Sequence, residues 1–433
     1  MTTVKVIGGG LAGSEAAYYL AEHGVRVELY DIKPEKFTPA HSNKNFGELV
    51  CSNSLKGRDA YSNACGLLKA EMRVIGSLVM DAADYAEIPA GGALAVDRDR
   101  FADFITRKLN GHENIAVICA EAEEIPAAPC IVATGPLTSG ELAGDIARKT
   151  GGALHFYDAS APIVSRDSVD TDRAFFGDRY GKGGDDYLNC PMDKEEYERF
   201  VYELVNAERA TLREFDKREI FEGCMPLEIM AARGAETLRF GPFKPVGLTD
   251  GAGNKFYAVL QLRKETADGE AYNLVGCQTN LKFGEQKRVF SLIPALREAE
   301  FLRYGVMHRN TYINSPLCLN ADFSLKSDPL TFFAGQITGV EGYVESAASG
   351  LLAAVHMLRK LENKSPIIPD NTTVLGALSA HIAGATENFQ PMNANFGILK
   401  PLGIRVRDKK QRYAQLAERA LKGVEEFSKN LCE

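Results

Sequence analysis

The sequence contains no tryptophan, no long apolar run and no cysteine pair of the Cys-x-x-Cys type. No uncharged apolar stretch approaches the roughly 18 residues that a membrane-spanning helix needs. Nine cysteines, an odd number scattered along 433 residues, predict free thiols and neither a disulfide framework nor a metal site. Lys5 and Glu15 interrupt the apolar stretch that a secretory signal would need, so we expect a cytoplasmic protein without a membrane partner.

The sequence also lacks an excess of positive charge. Its net charge of −8 excludes a globally basic nucleic-acid-binding protein but leaves room for a local basic face. Six cations fall within residues 400–412, and Lys400, Arg405 and Arg407 are among them. These side chains could contact the phosphates of an RNA backbone, although a solvated helix start would have the same composition.

The first 31 residues have the pattern of a nucleotide-binding βαβ unit. A strand, Val4 to Ile7, is followed by a glycine-rich turn, an Ala-rich helix and a second strand that ends at Asp31. The turn consists of Gly8, Gly9, Gly10, Leu11, Ala12 and Gly13. In this pattern the helix N-terminus binds a pyrophosphate, and an acid about 20 residues further along binds a ribose. The unit therefore predicts a dinucleotide ligand, with Asp31 accepting both ribose hydroxyls.

Two later segments resume this pattern. Pro129 to Val132 reads as a strand that leads into a turn at Gly135, and Leu330 to Phe333 reads as another strand. An Ala-rich helix follows the second strand. The turn between them contains Gly335, Gln336, Gly339, Gly342 and Tyr343. A strand, glycine turn and helix at the far end of a flavoprotein contact the ribityl and pyrophosphate groups, so the dinucleotide is predicted to be FAD.

The sequence between these segments is rich in polar, aromatic and glycine residues. We therefore predict an α/β protein whose Rossmann-like, glutathione-reductase-like FAD domain is interrupted by an inserted α+β substrate domain. The predicted parts are an FAD-binding segment at 1–150, the inserted domain at 151–299, a second FAD-binding segment at 300–365 and a C-terminal extension at 366–433 that packs on the FAD domain. Helices are predicted from Lys194 to Phe215 and from Lys409 to Phe427.

Two cysteines lie among turn-forming polar residues, Cys51 in Val-Cys-Ser-Asn and Cys224 in Gly-Cys-Met-Pro. A reactive thiolate needs such an exposed or helix-terminal setting, although a single cysteine is more often a small buried apolar residue. A further cluster contains His308, Arg309 and Asn310, whose side chains could stack on a ring system and bond its edges.

With these residues assembled, the chain resembles the bacterial folate- and FAD-dependent tRNA uracil-5-methyltransferases over essentially its whole length. The resemblance rests on the opening glycine turn, on both cysteine segments and on several further ordered blocks. These blocks are Arg239-Phe240-Gly241-Pro242, Gln261-Leu262-Arg263, Met307 to Tyr312, Phe333-Ala334-Gly335-Gln336 and Phe389 to Phe396. Asp31 stands where family members often have glutamate, and either carboxylate can serve a ribose.

The resemblance implies methylation of C5 of the T-loop uridine, position 54, in tRNA. It implies 5,10-methylenetetrahydrofolate as carbon donor and NADPH or NADH as reductant of FAD. One thiol, assigned to Cys224, adds to C6 of the uracil, and the other, Cys51, removes the C5 proton; nothing in the sequence orders these two roles. His308, with Arg309 and Asn310 nearby, is expected to face the folate, and Lys400, Arg405 and Arg407 to face the tRNA. No protein partner can be inferred.

Three other functions share parts of this pattern. One is an FAD-dependent enzyme that modifies the wobble uridine of tRNA, one is a flavin oxidoreductase acting on a small molecule, and one is an RNA-binding protein that keeps FAD as a structural element. The wobble-uridine proteins carry a helical C-terminal domain that this sequence lacks. An RNA-binding protein would need no reactive thiol, and a small-molecule oxidoreductase would be indifferent to tRNA.

Overall fold

Strands and helices alternate at the start of the chain and again after residue 320. We describe them from a computed structural model that covers residues 2–38, 40–138, 140–181, 184–210, 225–384 and 389–431, leaving aside the side chains of 153–158 and 308–309. The strands are β1 (Thr3–Ile7), β2 (Arg26–Asp31), β3 (Ser54–Gly57), β4 (Glu87–Ile88), β5 (Ala93–Val96), β6 (Ile115–Cys119), β7 (Cys130–Val132), β8 (Ala153–Ala159), β9 (Ile163–Ser165), β10 (Phe175–Phe176), β11 (Tyr187–Met192), β12 (Ala258–Lys264), β13 (Ala271–Leu274), β14 (Phe301–Arg303), β15 (Met307–Ile313), β16 (Ser324–Leu325) and β17 (Asp328–Phe333). The helices are α1 (Leu11–Glu22), α2 (Ala64–Ile75), α3 (Leu78–Tyr85), α4 (Arg98–Asn110), α5 (Gly140–Thr150), α6 (Lys194–Asn206), α7 (Leu227–Ala232), α8 (Phe283–Phe290), α9 (Ser315–Cys318), α10 (Tyr343–Leu361), α11 (Val374–Ala383) and α12 (Lys409–Leu431).

A mainly parallel sheet has the strand order β16–β17–β7–β1–β2–β6. In this sheet Val6 of β1 lies opposite Leu29 of β2 on one side and Ile131 of β7 on the other. All three side chains are fully buried, as expected where helices cover both faces of a parallel sheet. Phe332 of β17 also lies opposite Ile131, so two distant parts of the chain complete one sheet. This architecture is the predicted Rossmann-like fold.

Helices α1 and α10 cross in close contact above this sheet. A Cβ atom at Gly350 of α10 would lie 2.2 Å from the carbonyl oxygen of Ala12, and one at Gly13 of α1 would lie 1.8 Å from the carbonyl oxygen of Gly8. Real Cβ atoms do not approach backbone so closely, so only glycine fits at either position. The two glycines therefore let α1 touch the β1 turn on one side and α10 on the other.

A second sheet is antiparallel throughout, with the strand order β10–β11–β12–β13–β9–β14. It belongs to a separate hydrophobic core whose largest fully buried side chains include Tyr197, Phe200, Phe243 and Phe290. Its last strand, β14, ends at Arg303, so this sheet continues past residue 299. We refer to the hydrophobic core around the parallel sheet as the first core and to that of the antiparallel sheet as the second core. The chain leaves the first core through β8 and returns through β15, and these two strands pair with each other.

The C-terminal helices pack on the first core. The buried carboxylate of Glu71 in α2 accepts the N–H groups of Val374 (2.8 Å) and Leu375 (2.9 Å) and so caps α11. Val424 and Phe427 of α12 are buried in the same core. No helix in the described part of the chain has both the length and the apolarity that a bilayer crossing requires.

Two predicted helix ends were wrong. Helix α6 ends at Asn206 and not at Phe215, because the backbone becomes extended at Ala207 and Arg209 then bridges to Leu281. Helix α12 continues beyond Phe427 to Leu431. For α6, a tertiary contact decides where the helical pattern stops.

The α1–α10 crossing yields a stability prediction. Gly350→Ala should lower the free energy of unfolding by about 1–3 kcal/mol, because its methyl group has no space beside Ala12. Gly144→Ala in α5 is the matched control, since a Cβ there has only the Arg148 side chain at 3.5 Å. We expect the control to be neutral or slightly stabilising. Urea titration of both variants measures the difference, and equal stabilities would contradict the packing argument.

Candidate functional site

A cavity lies where β1, β2 and β7 end at their carboxyl edge, the usual ligand position in an open α/β sheet. Its empty volume is about 1290 Å³, including the open mouth. Nine of the predicted cofactor-binding residues line it, namely Gly8, Gly10, Leu11, Ala12, Asp31, Gly135, Gly335, Gln336 and Tyr343. The structure therefore brings the glycine turns from both ends of the sequence to one cavity.

The turn between β1 and α1 forms one wall of the cavity. Gly8 has a φ of +105°, and a Cβ there would lie 2.5 Å from the carbonyl oxygen of Ala133. Gly10 precedes α1, and a Cβ at this position would meet no atom within 4 Å, so its backbone faces open space. The N-terminus of α1 is thus open to an anionic group, which the helix dipole and free N–H groups favour.

Asp31 lies at the end of β2 beside this turn. Its carboxylate accepts the N–H groups of Gly9 (2.6 Å) and Lys33 (2.8 Å), one on each oxygen, and the side chain is buried. Each oxygen has a second lone pair, so the anchored carboxylate can still accept bonds from a ligand.

The residues from 335 to 343 form the opposite wall. The Gly335 N–H group donates to Ser349 Oγ of α10 (2.7 Å), and the Gln336 side chain donates to Glu341. Four predicted residues lie outside the cavity lining: Gly9, Gly13, Gly339 and Gly342. A Cβ at Gly339 would lie 2.5 Å from the ring of Phe389, so this position serves packing of the C-terminal segment.

The cavity lining also contains polar side chains that were not predicted, among them Lys33, His41 and Glu48. Lys33 Nζ lies 3.8 Å from Glu48 Oε2. Burial lowers the pKa of Lys33 and also that of His41, where the nearby Lys33 charge lowers it further. These residues come from a loop without sequence periodicity, so no local signal could have found them.

The lining suits a flavin dinucleotide. It combines an open helix N-terminus, an anchored carboxylate at one end and a second glycine turn at the other, with an interior more apolar than polar. In this arrangement α1 would hold the pyrophosphate, Asp31 a ribose, and Gly335 with Gln336 the middle of the molecule.

Cys51 lies beside this cavity and contacts Tyr343, which is part of the cavity lining. The Tyr343 hydroxyl oxygen accepts the N–H groups of Cys51 (2.7 Å) and Ser52 (3.1 Å), and it lies 2.9 Å from Cys51 Sγ. Burial raises the pKa of Tyr343 well above its ordinary value, and a Cys51 charge would raise it further. The phenol is therefore neutral in any ordinary buffer. Because its oxygen already accepts two N–H groups, its own hydrogen is available to Cys51 Sγ.

Three arginines hold the segment around Cys51, and none of them was among the predicted site residues. Arg98 donates to the Leu49 carbonyl (2.8 Å) and Arg303 to the Val50 carbonyl (2.6 Å). Arg263 donates to Ser52 Oγ (3.0 Å) and Asn53 Oδ1 (2.9 Å). The first arginine belongs to α4 and the others to the antiparallel sheet, so both parts of the molecule contact this segment.

The remaining predicted residues lie elsewhere or outside the described part. Asn310 is buried in β15, and the neighbouring Thr311 N–H donates to Pro136 O in the cavity wall (2.7 Å). The side chains of His308 and Arg309 lie outside the described residues, as does Cys224. Lys400, Arg405 and Arg407 are exposed, and no ion pair joins them to another described side chain.

The fold and the cavity define a dinucleotide-binding α/β protein of the flavoprotein class. A family model described as "Glucose inhibited division protein A" matches residues 3–365. Two crystal forms of Aquifex aeolicus GidA have the same fold, each with a TM-score of 0.72 and 15% and 16% sequence identity. The alignments cover 99% of this chain and 73% and 76% of those chains.

Curated relatives are similar along almost the whole chain. "Methylenetetrahydrofolate--tRNA-(uracil-5-)-methyltransferase TrmFO" of Acetivibrio thermocellus is 54% identical over 428 residues, 98% of each chain. The protein of the same name from Geobacter sulfurreducens is 55% identical over 422 residues, 96% of this chain and 97% of that one. The chain belongs to the TrmFO family.

The site geometry predicts a flavin-binding defect at Asp31. Asp31→Asn places an NH₂ group against one of two backbone donors, Gly9 or Lys33, and removes the charge from the bond to the other. Charge-assisted bonds contribute about 1.5–3 kcal/mol, so we expect FAD to bind about 10- to 100-fold more weakly. Glu28→Gln, on the same strand but outside the cavity lining, is the control. Fluorescence titration of flavin-free protein measures both, and equal affinities would contradict the assignment.

Proposed function

We propose that this protein methylates C5 of the T-loop uridine, position 54, of tRNA with the one-carbon unit of 5,10-methylenetetrahydrofolate and the reducing equivalents of NAD(P)H. The observation that carries the proposal is a thiol, Cys51, placed 2.9 Å from the Tyr343 hydroxyl beside a dinucleotide cavity. The chain is 54% identical to a protein named for this reaction. FAD, when bound, supplies the electrons that reduce the transferred carbon to a methyl group.

Cys51 is the residue that we propose takes the C5 proton of the uracil. Because the Tyr343 oxygen accepts two backbone N–H groups, its hydrogen can point to Cys51 Sγ, and this bond favours the thiolate over the thiol. The tyrosine itself is held neutral by its raised pKa, so it serves as a donor and not as the base.

Cys224 is the residue that we propose adds to C6 of the uracil and so makes C5 nucleophilic. It lies outside the described residues, and its role follows from the sequence segment that surrounds it. The two roles could be exchanged between Cys51 and Cys224, so each thiol needs its own variant. His308, Arg309 and Asn310 on β15 are our candidates for folate binding, because this strand contacts the cavity wall at Pro136.

The exposed cations of the C-terminal segment are our candidates for tRNA binding. Lys400, Arg405 and Arg407 precede α12 and are not engaged by a described acidic side chain. They are therefore available for phosphate groups. A uridine within the folded T-loop is reached by a side chain only when the base leaves its stack, so we propose that the base is extruded for reaction.

Isotope transfer tests the proposed reaction. Purified flavoprotein, unmodified tRNA, NADPH and methylenetetrahydrofolate with a labelled methylene carbon should yield labelled 5-methyluridine. Cys51→Ala and Cys224→Ala should each lower the yield by more than about 100-fold, since a reacting group is lost in both. Cys119→Ala, at an exposed cysteine on edge strand β6, should keep wild-type activity.

The alternatives predict other outcomes of the same experiment. Label at the wobble uridine would favour the wobble-modifying activity, and NADPH oxidation that is indifferent to tRNA would favour a small-molecule oxidoreductase. Binding of tRNA without either reaction would leave a structural role for FAD. Each of these results would overturn the proposed function.

The tRNA-binding assignment predicts a salt effect. Replacing Lys400, Arg405 and Arg407 with glutamine should weaken tRNA binding and reduce the slope of log affinity against log salt by about 2–3, close to one unit for each lost phosphate contact. A control triple variant removes the same charge from the second core region. It replaces Arg166, Arg173 and Lys194, each of which forms an ion pair with an acidic side chain. Equal slopes in the two triple variants would contradict the assignment.

A further inference from the structure

The segment Leu49–Asn53 receives hydrogen bonds from arginines on three separate elements. Arg98 is the first residue of α4, Arg263 lies near the end of β12, and Arg303 ends β14. Their bonds fall on four of the five positions, on the carbonyls of Leu49 and Val50 before Cys51 and on the side chains of Ser52 and Asn53 after it. We refer to Arg98, Arg263 and Arg303 as the arginine clamp.

The centre of the clamp is buried. Arg263 is 5% exposed, and Glu265, which directly follows β12, is also buried, whereas Arg98 and Arg303 are half-buried. Glu265 forms an ion pair with Arg98, so one carboxylate lies among three cations. Removing charged groups from water costs free energy unless they are paired and bonded. This charged cluster surrounds a segment that carries a half-buried thiol, so we infer that it does more than fill space.

Further hydrogen bonds join the two cores at this segment and beside it. Asn53 Nδ2 donates to the Lys264 carbonyl (2.9 Å) and the Val96 carbonyl (3.2 Å). The Ala267 N–H group donates to Asp97 Oδ2 (2.9 Å), which places the turn after β12 on the start of α4. The geometry around Cys51 thus depends on how the antiparallel sheet docks against the parallel one.

We propose that the arginine clamp positions Cys51 against Tyr343 and that Arg303 supplies positive charge that favours its thiolate, with Glu265 limiting that charge. The clamp residues act through Cys51 and are positioning residues. The proposal rests on the proposed function only for what Cys51 does to a substrate, because thiol reactivity can be measured without tRNA or folate.

The titratable groups around Cys51 come from every element packed on its segment. They belong to Arg98 on α4, Arg263 and Glu265 on and after β12, Arg303 on β14, Tyr343 on α10 and, next to Arg303, His41. Burial lowers the pKa of Arg303 and the Arg98 charge lowers it further, while Tyr343, Glu265 and a Cys51 thiolate raise it. Arg303 and the Cys51 thiolate therefore stabilise each other. Glu265 is the one carboxyl group among these residues; burial raises its pKa while Arg98, Arg263 and Arg303 lower it, and its ionised form opposes the thiolate.

The pH profile of Cys51 alkylation tests the clamp. Flavin-bound protein is treated with iodoacetamide from pH 5 to 10, and the Cys51 peptide is quantified by mass spectrometry. Arg303→Gln should slow alkylation at pH 7 by about 3- to 10-fold and move the midpoint of the profile to higher pH, because the thiolate loses a neighbouring cation. Glu265→Gln should move the midpoint to lower pH, because it removes the opposing charge.

Two controls separate charge from structure. Arg303→Lys retains the cation and should keep the midpoint near wild type, and Arg297→Gln removes an exposed arginine that bears no relation to the segment. Ser52→Ala removes the Arg263 acceptor but no charge, so it should lower the methyl-transfer rate a few-fold and move the midpoint less than Arg303→Gln does.

Opposite shifts of the midpoint in Arg303→Gln and Glu265→Gln would establish the electrostatic role. Unchanged midpoints in both variants, or shifts in the same direction, would overturn it. Should Arg303→Gln not fold, Glu265→Gln decides alone, and a midpoint that fails to move to lower pH overturns the proposal. Loss of methyl transfer by the wild-type protein, with these shifts intact, would contradict the proposed function and leave the clamp standing.

Discussion

The close crossing of α1 and α10 is the constraint on which the rest of the site depends. Gly350 and Ala12 bring the two helix backbones together, and Gly13 holds α1 against the turn after β1. Helix α10 starts at Tyr343 and follows the second glycine turn, so this contact determines where that turn and its tyrosine lie. A bulkier residue at Gly350 would separate the two walls of the cavity, although neither wall would change in sequence.

Local sequence signals were sufficient to predict the walls of the cavity but not their contacts. The glycine turn, Asp31 and the residues from Gly335 to Tyr343 each follow a strand with apolar periodicity, and such patterns need only neighbouring residues to be recognised. Their meeting in one cavity follows from the parallel pairing of β1, β7 and β17. The family resemblance supplied the order of the segments, whereas helix ends such as Asn206 depend on a bridge to the distant Leu281.

The surroundings of Cys51 could not be predicted because they are assembled from distant segments. Its hydroxyl partner, Tyr343, is 292 residues away, and Arg303 lies 253 residues from the Val50 carbonyl that it binds. Arginines on a strand or at a helix start usually face solvent, so composition alone favours an exposed position for all three clamp residues. Only the docking of two separate cores places them on one segment.

Cys51 is consequently held from two sides by different parts of the fold. Tyr343 approaches from α10, whose position follows from the α1 crossing, and the clamp arginines approach mainly from the antiparallel sheet. The tyrosine also lines the cavity, so a ligand that moves α10 would move the hydroxyl that contacts the thiol. A domain that shifted against the first core would instead move the cations. The position of the thiol therefore depends both on the ligand in the cavity and on the docking of the inserted region. In a reaction that needs flavin and substrate together, each of them can influence where the thiol lies.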